Sequence, residues 1–314
     1  MEPIDFLPSF LHKTTQSSAI IDFSWALYRG YYAFRQLEVT VNGFKRPTGH
    51  IFGVLNDIEN AIRLGNSQVF LALDGRAKGK SIDPNYKDNR QRLDYNIHQD
   101  IEAILAMAYL HPSVSSIYHP HLEADEVIYS FAKQVECARQ SGGSSTKVEI
   151  WSTDDDMLQC LRSCVSIRKG PKPEDLLTLE AYLASEKYRK KYANCLPYLL
   201  PLFRAFTGDK SDNLSGVPGI RKQHLVGIVP LLSTVSEEAF TASFHKAAQS
   251  DSTLYNQCLP HLSKVWSNFT IMRLQSHPLI SVNLQSSDYS DGSFGKSCIE
   301  SFKLGKWSRF LENL

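Results

Sequence analysis

The sequence predicts an α/β fold, with a mostly parallel central sheet flanked by helices and a helical region following it. Short β-branched runs alternate with amphipathic stretches through the first two-thirds of the chain. This alternation is typical of parallel strands joined by helices that cover both sheet faces. The stretch from Leu196 to Val229 instead looks purely helical, with a glycine-rich turn in its middle. We therefore expect an α/β core over residues 1–195 and a helical region over residues 196–314.

The spacing of apolar residues predicts the individual elements. Apolar and β-branched runs predict five strands: Ala19–Asp22, Gln68–Asp74, Val114–Tyr118, Lys147–Trp151 and Val165–Ile167. Apolar residues three and four positions apart predict three helices between them: His50–Leu64, Asn96–Leu110 and Leu122–Arg139. The pattern weakens after Pro230, and the residues Ser281–Ser297, rich in Ser, Asp and Gly, predict an exposed loop.

The composition is that of an ordinary globular enzyme, with 42% hydrophobic and 21% charged residues among 314. The net charge is +1, so any surface that binds nucleic acid requires local segregation of charge. No apolar run approaches the roughly 18 residues of a membrane span, and the N-terminus has no signal-peptide pattern. The six cysteines form no CxxC pair. We expect a cytoplasmic monomer with reduced cysteines and no membrane contact.

Carboxylates stand where predicted strands end. Asp22 ends the first strand, Asp74 ends the second, and Asp154 and Asp156 follow the fourth. Ligands of open α/β sheets bind beyond the carboxyl ends of the strands, so these acids should share one edge of the sheet. Further acids stand at a predicted helix start and in the run Gly208–Asn213: Glu123, Asp125, Glu126, Asp209 and Asp212.

The set of acids predicts a metal site. A single acid is common at a helix N-terminus or in a turn, but so many converging carboxylates would repel one another without cations. Hard oxygen ligands without clustered His or Cys select Mg²⁺, for which Mn²⁺ can substitute. Two such ions about 4 Å apart stabilise the attacking and leaving oxygens of a phosphodiester displacement. The pair His119 and His121 is better explained by packing than by metal binding.

A basic segment, 76–92, follows Asp74 directly. It holds six positive and two negative residues, a local charge of +4. A solvated loop is the alternative, but nucleic acid can approach an anionic site only where positive charge flanks it. The segment leaves the sheet after Asp74 and returns through the predicted helix Asn96–Leu110, so we expect residues 77–95 to form an arch beside the acids. The candidate DNA contacts in the segment are Arg76, Lys78, Lys80, Tyr86, Lys87 and Arg90.

A glycine-rich turn predicts a second nucleic-acid contact. The run 216–220, Gly-Val-Pro-Gly-Ile, lies between two predicted helices. Backbone N–H groups at such a turn can bind phosphate without regard to base sequence. We expect contacts to the duplex backbone from Gly216, Gly219, Arg221 and Lys222.

The ordered motifs from Ala19 to Val229 together resemble the 5′-nuclease family. That family includes phage 5′-exonucleases, flap endonucleases and the 5′-nuclease domain of bacterial DNA polymerase I. The motifs are the aspartate ending the first strand, "DG", "YKxxR", "EADD", "DxD", "GDxSDN" and the helix–hairpin–helix turn. They match Asp22, Asp74-Gly75, Tyr86–Arg90, Glu123–Glu126, Asp154–Asp156, Gly208–Asn213 and Gly216–Gly219. Arg29 matches an arginine on the family's first helix.

The resemblance implies a PIN-like 5′-nuclease core with a helix–hairpin–helix DNA-binding region. It implies two Mg²⁺ ions held by the matching acids, with Asp74, Asp156, Lys87 and Arg90 as catalytic residues. The implied substrates are DNA with 5′ ends, flaps or nicks, with RNA–DNA hybrids and replication proteins as further partners. Glu126 departs from the family's second aspartate but keeps its charge. Arg221 stands where the family's turn usually has glycine, which argues against the family's potassium site.

Two other functions fit parts of the pattern. A PIN-type ribonuclease has a similar carboxylate edge, but the glycine turn and the basic arch argue against it. A catalytically silent protein that binds branched DNA would gain nothing from carboxylates that repel phosphates, so the intact acid set argues against that function. The sequence therefore favours a structure-dependent 5′-3′ exonuclease or flap endonuclease.

Overall fold

The computed structural model describes residues 17–41, 43–75, 82–88, 93–142, 145–277 and 292–313. Its strands are β1 (Ser17–Asp22), β2 (Glu38–Val41), β3 (Phe44–Pro47), β4 (Gln68–Leu73), β5 (Val114–Tyr118), β6 (Lys147–Trp151), β7 (Val165–Arg168), β8 (Leu176–Leu177), β9 (Gly208–Asp209) and β10 (Leu214–Ser215). The central sheet has the order β5-β4-β1-β6-β7-β8, and all its neighbouring pairs are parallel except β7 and β8. The five predicted strands and the mostly parallel sheet are thus confirmed.

The helices cover both faces of the sheet. They are α1 (Phe23–Ala33), α2 (Gly49–Arg63), α3 (Ile101–Ala108), α4 (Ala124–Gln140), α5 (Leu179–Ala184), α6 (Glu186–Tyr192), α7 (Leu200–Thr207), α8 (Lys222–Ile228), α9 (Glu237–Ala247), α10 (Ser252–Cys258), α11 (Leu262–Met272), α12 (Ser293–Ser301) and α13 (Gly305–Leu311). The three predicted helices are present as α2, α4 and a 3₁₀ turn that leads into α3. Among the described helices, none is long and apolar enough to cross a bilayer.

Alternating residues of the central strands enter two different apolar cores. Ile20 and Phe70 face the core that contains α4 and the helices after residue 179. Ile21 and Leu71, their neighbours in sequence, face the core that contains α1, α2 and α3. Successive side chains of a strand point to opposite sheet faces, so a strand buried on both faces is apolar throughout. This explains why the predicted strands show continuous apolar runs.

The cores extend across the predicted boundary between residues 195 and 196. The first core continues without interruption from the sheet to Phe269 in α11. The last two helices return to the opposite face, where Trp307 and Phe310 join the core around α2 and α3. The helical region therefore packs against the sheet over a shared apolar core.

Two predictions for the second half of the chain are wrong. The stretch 196–229 is not purely helical, because a short antiparallel ladder of β9 and β10 follows α7. Gly208 has a φ of +78°, which ends the helix there. Ser293 to Ser297 belong to α12 rather than to a loop, while the rest of that predicted loop lies outside the described residues, apart from Gly292.

Candidate metal centre and nucleic-acid interface

Asp22 and Asp74 lie side by side at the carboxyl ends of the paired strands β1 and β4. Asp22 also caps α1, since its Oδ1 accepts a hydrogen bond from Trp25 N at 3.0 Å. Asp74 lies just beyond β4, where its Oδ1 accepts from Ala124 N at 2.8 Å and its Oδ2 accepts from Ser24. Hydrogen bonds from the protein thus orient both carboxylates before any ion binds.

The start of α4 and the turn after β6 bring further acids to this edge. Glu123 is the N-cap residue of α4 and Asp125 lies in the first turn. Asp154 caps the 3₁₀ turn after β6, where its Oδ1 accepts from Asp156 N at 2.9 Å. One oxygen of each of Asp125, Asp154 and Asp156 lies within 4.8 Å of the others. This all-oxygen set, without His or Cys, suits a hard divalent cation.

The acids are close enough to perturb one another. Burial raises the pKa of Asp22 to about 7, and the charges of Asp74 and Asp154 add to this rise. Burial also raises the pKa of Asp156 to about 7, with a further contribution from Asp154. Burial and the charge of Asp154 raise the pKa of Asp125 well above its usual range. Such a site gains stability from a cation that neutralises the carboxylates.

Metal binding should therefore stabilise the protein more at high pH than at low pH. The folded protein holds protons on Asp22 and Asp156 up to about pH 7, whereas an ordinary aspartate has a pKa of 3.8. Unfolding releases these protons, so the free energy of unfolding of the metal-free protein falls as pH rises through this window. Mg²⁺ at about 100 times its dissociation constant should add about 2.7 kcal/mol.

The measurement is the thermal unfolding midpoint in Mg²⁺ and in EDTA, at pH 5.5 and at pH 8. We expect a clear increase with Mg²⁺ at pH 8 and a smaller one at pH 5.5. Asp125→Asn should lose most of the increase at pH 8. An increase of equal size at both pH values would contradict the link between metal binding and these carboxylates.

Arg204 is a component of the site that the sequence did not indicate. It lies on α7, and its guanidinium bonds Asp156 with one nitrogen and Asp209 with the other. Burial of Asp209 favours its neutral form, but Arg204 outweighs this and lowers the pKa of Asp209. Asp212 lies buried in the turn that follows β9. Arg204 thus joins Asp156, which follows β6, to Asp209 in the helical region.

Glu126 is not brought into the group formed by Asp125, Asp154 and Asp156. Its carboxylate is 3% exposed and lies 3.8 Å from Nε2 of His277. Metal binding by Glu126 stays a prediction.

Lys87 reaches the metal centre from the basic segment. Its Nζ lies 2.7 Å from Oε1 of Glu123. It lines a cavity of about 360 Å³ together with Asp22, Asp74 and Asp125. Burial alone would lower the pKa of Lys87, but the carboxylate of Glu123 outweighs this and raises it. Lys87 therefore stays a cation, and it cannot serve as a base near neutral pH.

The other predicted contacts of the first half are placed differently. Tyr86 is 5% exposed, so its ring is not presented to solvent as a stacking surface. Arg29 forms an ion pair with the buried Asp57 on α2, and its guanidinium lies 4.7 Å above the ring of Trp25. The predicted contacts Arg76, Lys78, Lys80 and Arg90 lie outside the described residues, as does much of the predicted arch.

The glycine turn connects the strand β10 to α8, so the prediction of a helix on each side of it is wrong on its N-terminal side. Gly216 is required by close packing, since a Cβ there would lie 2.3 Å from the backbone of Thr207. Gly219 has a φ of +68°, which favours glycine. The side chains of Arg221 and Lys222 are exposed beside the turn. Both positions thus require glycine for reasons of backbone structure, so substitutions there would disturb the turn itself. Arg221 and Lys222 are therefore the better residues with which to test a phosphate contact.

A groove of about 500 Å³ lies beside the acids and includes Lys222 at the start of α8. Four basic residues line it, together with three aspartates: Arg204, Lys191, Lys210 and Lys222, with Asp154, Asp155 and Asp209. Lys191 belongs to α6, which buries its tyrosines and exposes its basic residues. The basic run in α6 was visible in the sequence, but only the fold shows that it borders this groove.

Residues 17–192 match the family model of the 5′-3′ exonuclease, N-terminal resolvase-like domain. A 5′-3′ exonuclease of Buchnera aphidicola subsp. Baizongia pistaciae is 27% identical over 216 residues, which cover 68% of this chain and 66% of that protein. The DNA polymerase I of Caldicellulosiruptor bescii is 30% identical over 226 residues, 69% of this chain and 25% of that protein. These matches confirm the resemblance that the motifs indicated.

The fold is similar to that of a solved phage enzyme. The T5 5′-exonuclease with bound zinc ions superimposes with a TM-score of 0.57 at 13% identity, over 95% of this chain and 98% of that one. At this identity the likeness shows a shared fold. It confirms the predicted mostly parallel sheet flanked by helices.

Proposed function

Since the chain belongs to the 5′-3′ exonuclease family, we propose that it is a divalent-metal-dependent 5′-3′ exonuclease and flap endonuclease acting on DNA. The observation that carries the proposal is the group formed by Asp125, Asp154 and Asp156, whose oxygens lie within 4.8 Å of one another. Carboxylates held so close favour a bound cation, and burial together with neighbouring negative charge raises the pKa values of Asp125 and Asp156.

Two Mg²⁺ ions would be held by carboxylates on the two sides of this group. Asp22, Asp74, Asp125 and Asp154 line the cavity at the ends of β1 and β4. Asp156 faces the other side, where Arg204 joins it to Asp209, near Asp212. Held there, the ions would supply an activated water and would stabilise negative charge on the leaving oxygen. Mn²⁺ should substitute, since it shares the preference for oxygen ligands.

Two basic side chains, those of Lys87 and Arg204, would help to position the substrate at this centre. Lys87 places a permanent positive charge inside the cavity that the acids line, where it can meet a phosphate oxygen. Arg204 offsets negative charge on Asp156 and Asp209, which limits repulsion of the incoming phosphate. Neither cation accepts a proton, so proton transfer must involve water or the carboxylates.

The basic groove would hold the duplex next to the cleavage site. Lys191, Lys210 and Lys222 line it beside the acids, and Arg221, next to Lys222 in the chain, is exposed. Contacts of lysine and arginine with phosphates give affinity without base preference. A protein that recognises the structure of DNA rather than its sequence needs a surface of this kind.

Replacing both Arg221 and Lys222 by alanine should weaken duplex binding and its dependence on salt. Each lost phosphate contact lowers the slope of log K against log salt by about one, so the double variant should lose about two. The control is Lys306→Ala, since Lys306 pairs with Glu59 on α2. A binding titration between 50 and 300 mM KCl, a range of about sixfold in salt, measures both slopes. An unchanged slope in the double variant rules out a phosphate contact by this turn.

The test of the function is cleavage of a labelled 5′ flap on duplex DNA, with Mg²⁺ or with EDTA. We expect short 5′ products that require Mg²⁺. Cleavage of the matching RNA with the DNA left intact would indicate a PIN-type ribonuclease instead. Tight binding of the flap without cleavage in Mg²⁺ or Mn²⁺ would indicate a silent binder of branched DNA.

A further inference from the structure

Tyr86 and its neighbours are fixed to the helical region at several points. The ring of Tyr86 is 5% exposed and packs with Leu214, Ile271 and Met272, which come from β10 and α11. Polar contacts also hold the segment 83–87. Lys87 N donates to Asp212 O at 3.1 Å, and Asn213 Nδ2 donates to Asn85 O at 3.0 Å. The Nζ of Lys264 pairs with Asp83 Oδ2 at 2.9 Å.

The backbone of Lys87 is held in an unfavourable conformation. Its φ is +60°, in the left-handed region that residues other than glycine rarely occupy. Such a conformation persists only where the surroundings impose it, often at a functional site. Here the surroundings are the Tyr86 contacts on one side and the hydrogen bond to Asp212 on the other. The same conformation directs the ammonium of Lys87 to Glu123, 2.7 Å away.

We propose that Tyr86 is a positioning residue, whose ring anchors residues 83–87 to β10 and α11 and thereby holds Lys87 over the carboxylates before DNA binds. The proposal rests on the proposed function, in which Lys87 acts on the scissile phosphate. It assigns Tyr86 a role different from base stacking, because the ring lies in an apolar pocket of the protein. A lysine that is already ordered loses less conformational entropy when the substrate arrives.

The anchor predicts that Tyr86 and its pocket act through Lys87. Tyr86→Ser should slow single-turnover cleavage of a 5′ flap about tenfold to hundredfold, the usual range for a misplaced catalytic group. Tyr86→Phe should keep most of the wild-type rate, because the ring stays in its pocket with the Lys87 Nζ 4.7 Å from its centroid, and only the contact of the hydroxyl with that ammonium is lost. Met272→Ala should also slow cleavage, because Met272 is 4% exposed and packs with the ring of Tyr86. If Tyr86 instead stacked on a DNA base, a change at the buried Met272 should leave the cleavage rate unchanged.

The double variant Tyr86→Ser with Lys87→Ala should be no slower than Lys87→Ala alone, since both changes remove the same positioned cation. Independent effects that multiply would overturn the proposal. A second readout needs no activity, namely hydrogen exchange of the Lys87 amide in the free protein, followed by mass spectrometry. Its protection should fall at least about tenfold in Tyr86→Ser and stay unchanged in Tyr86→Phe.

The outcomes separate the anchor from the proposed function. Unchanged amide protection in Tyr86→Ser overturns the anchor, whatever the rates. Slow cleavage by Lys87→Ala together with wild-type cleavage by Tyr86→Ser overturns the anchor alone. Wild-type cleavage by Lys87→Ala removes Lys87 from the proposed mechanism, and with it the catalytic purpose of the anchor. Thermal unfolding midpoints identify any variant that has lost its fold, and if Tyr86→Ser is one of them, Met272→Ala carries the comparison.

Discussion

Asp156→Asn and Asp74→Asn are each expected to slow phosphodiester hydrolysis by about 10³-fold or more, because a lost metal ligand removes several kcal/mol of transition-state stabilisation at about 1.4 kcal/mol per tenfold. Asparagine keeps the size of the side chain, so the fold and the contact of residue 156 with Arg204 should survive. DNA binding should be retained or become tighter, because one negative charge facing the phosphates is removed. Single-turnover cleavage and binding, each measured in Mg²⁺, separate the two effects.

Asp155→Asn is the matched control for Asp156→Asn. Asp155 lies between Asp154 and Asp156 in the chain, but its carboxylate accepts hydrogen bonds from Lys191 and from the hydroxyl of Tyr192. The Tyr192 oxygen lies 2.9 Å from Oδ2 of Asp155. Burial favours its neutral form, but these hydrogen bonds outweigh burial and lower its pKa. This variant should cut within a few-fold of the wild-type rate. If Asp74→Asn and Asp156→Asn both cut normally in Mg²⁺, the assignment of the metal centre is wrong.

Lys87→Met is expected to slow single-turnover cleavage by about 10²-fold, the usual loss when one preorganised charge is removed from a reacting centre. Methionine keeps the aliphatic length of the side chain and removes only the ammonium. Duplex affinity should change little, since Lys87 faces the carboxylates rather than the basic groove. The slowing should be similar at pH 7 and pH 9, because the pKa of Lys87 is raised and the side chain stays charged.

Lys306→Met is the control for this variant, since Lys306 pairs with Glu59 and Asn56 away from the acids. A large loss of duplex affinity in Lys87→Met, with an unchanged cleavage step, would make Lys87 a binding residue. Full activity would contradict any role of Lys87 at the reacting phosphate.

The metal centre could be predicted because its ligands stand at the ends of secondary structure elements. Asp22 and Asp74 end neighbouring parallel strands, and Asp154 caps the turn after a third. Strand ends can be located from local apolar runs, and parallel strands bring their carboxyl ends to one edge. The position of these acids therefore depends on local sequence and on a general rule of topology.

Side chains whose role depends on long-range packing were predicted less well. Arg204 pairs with Asp156, which lies 48 positions earlier in the chain, and no local pattern indicates that contact. Tyr86 was expected to face bases, yet it packs against Ile271 and Met272 from a helix that the apolar pattern did not predict. Glu126 was grouped with the metal ligands because it matches the "EADD" motif, and no local pattern indicated that its carboxylate lies beside His277.

The sequence by itself determined the alternation of strands and helices, the carboxylate edge and the family, since each depends on short motifs and apolar periodicity. Only the tertiary structure decided which charges meet: Lys87 with Glu123, Arg204 with Asp156 and Asp209, and Arg29 with Asp57. The physical reason is that periodicity fixes which face of an element is buried, whereas ion pairs form between elements distant in sequence. Their partners are set by how the helices pack around the sheet.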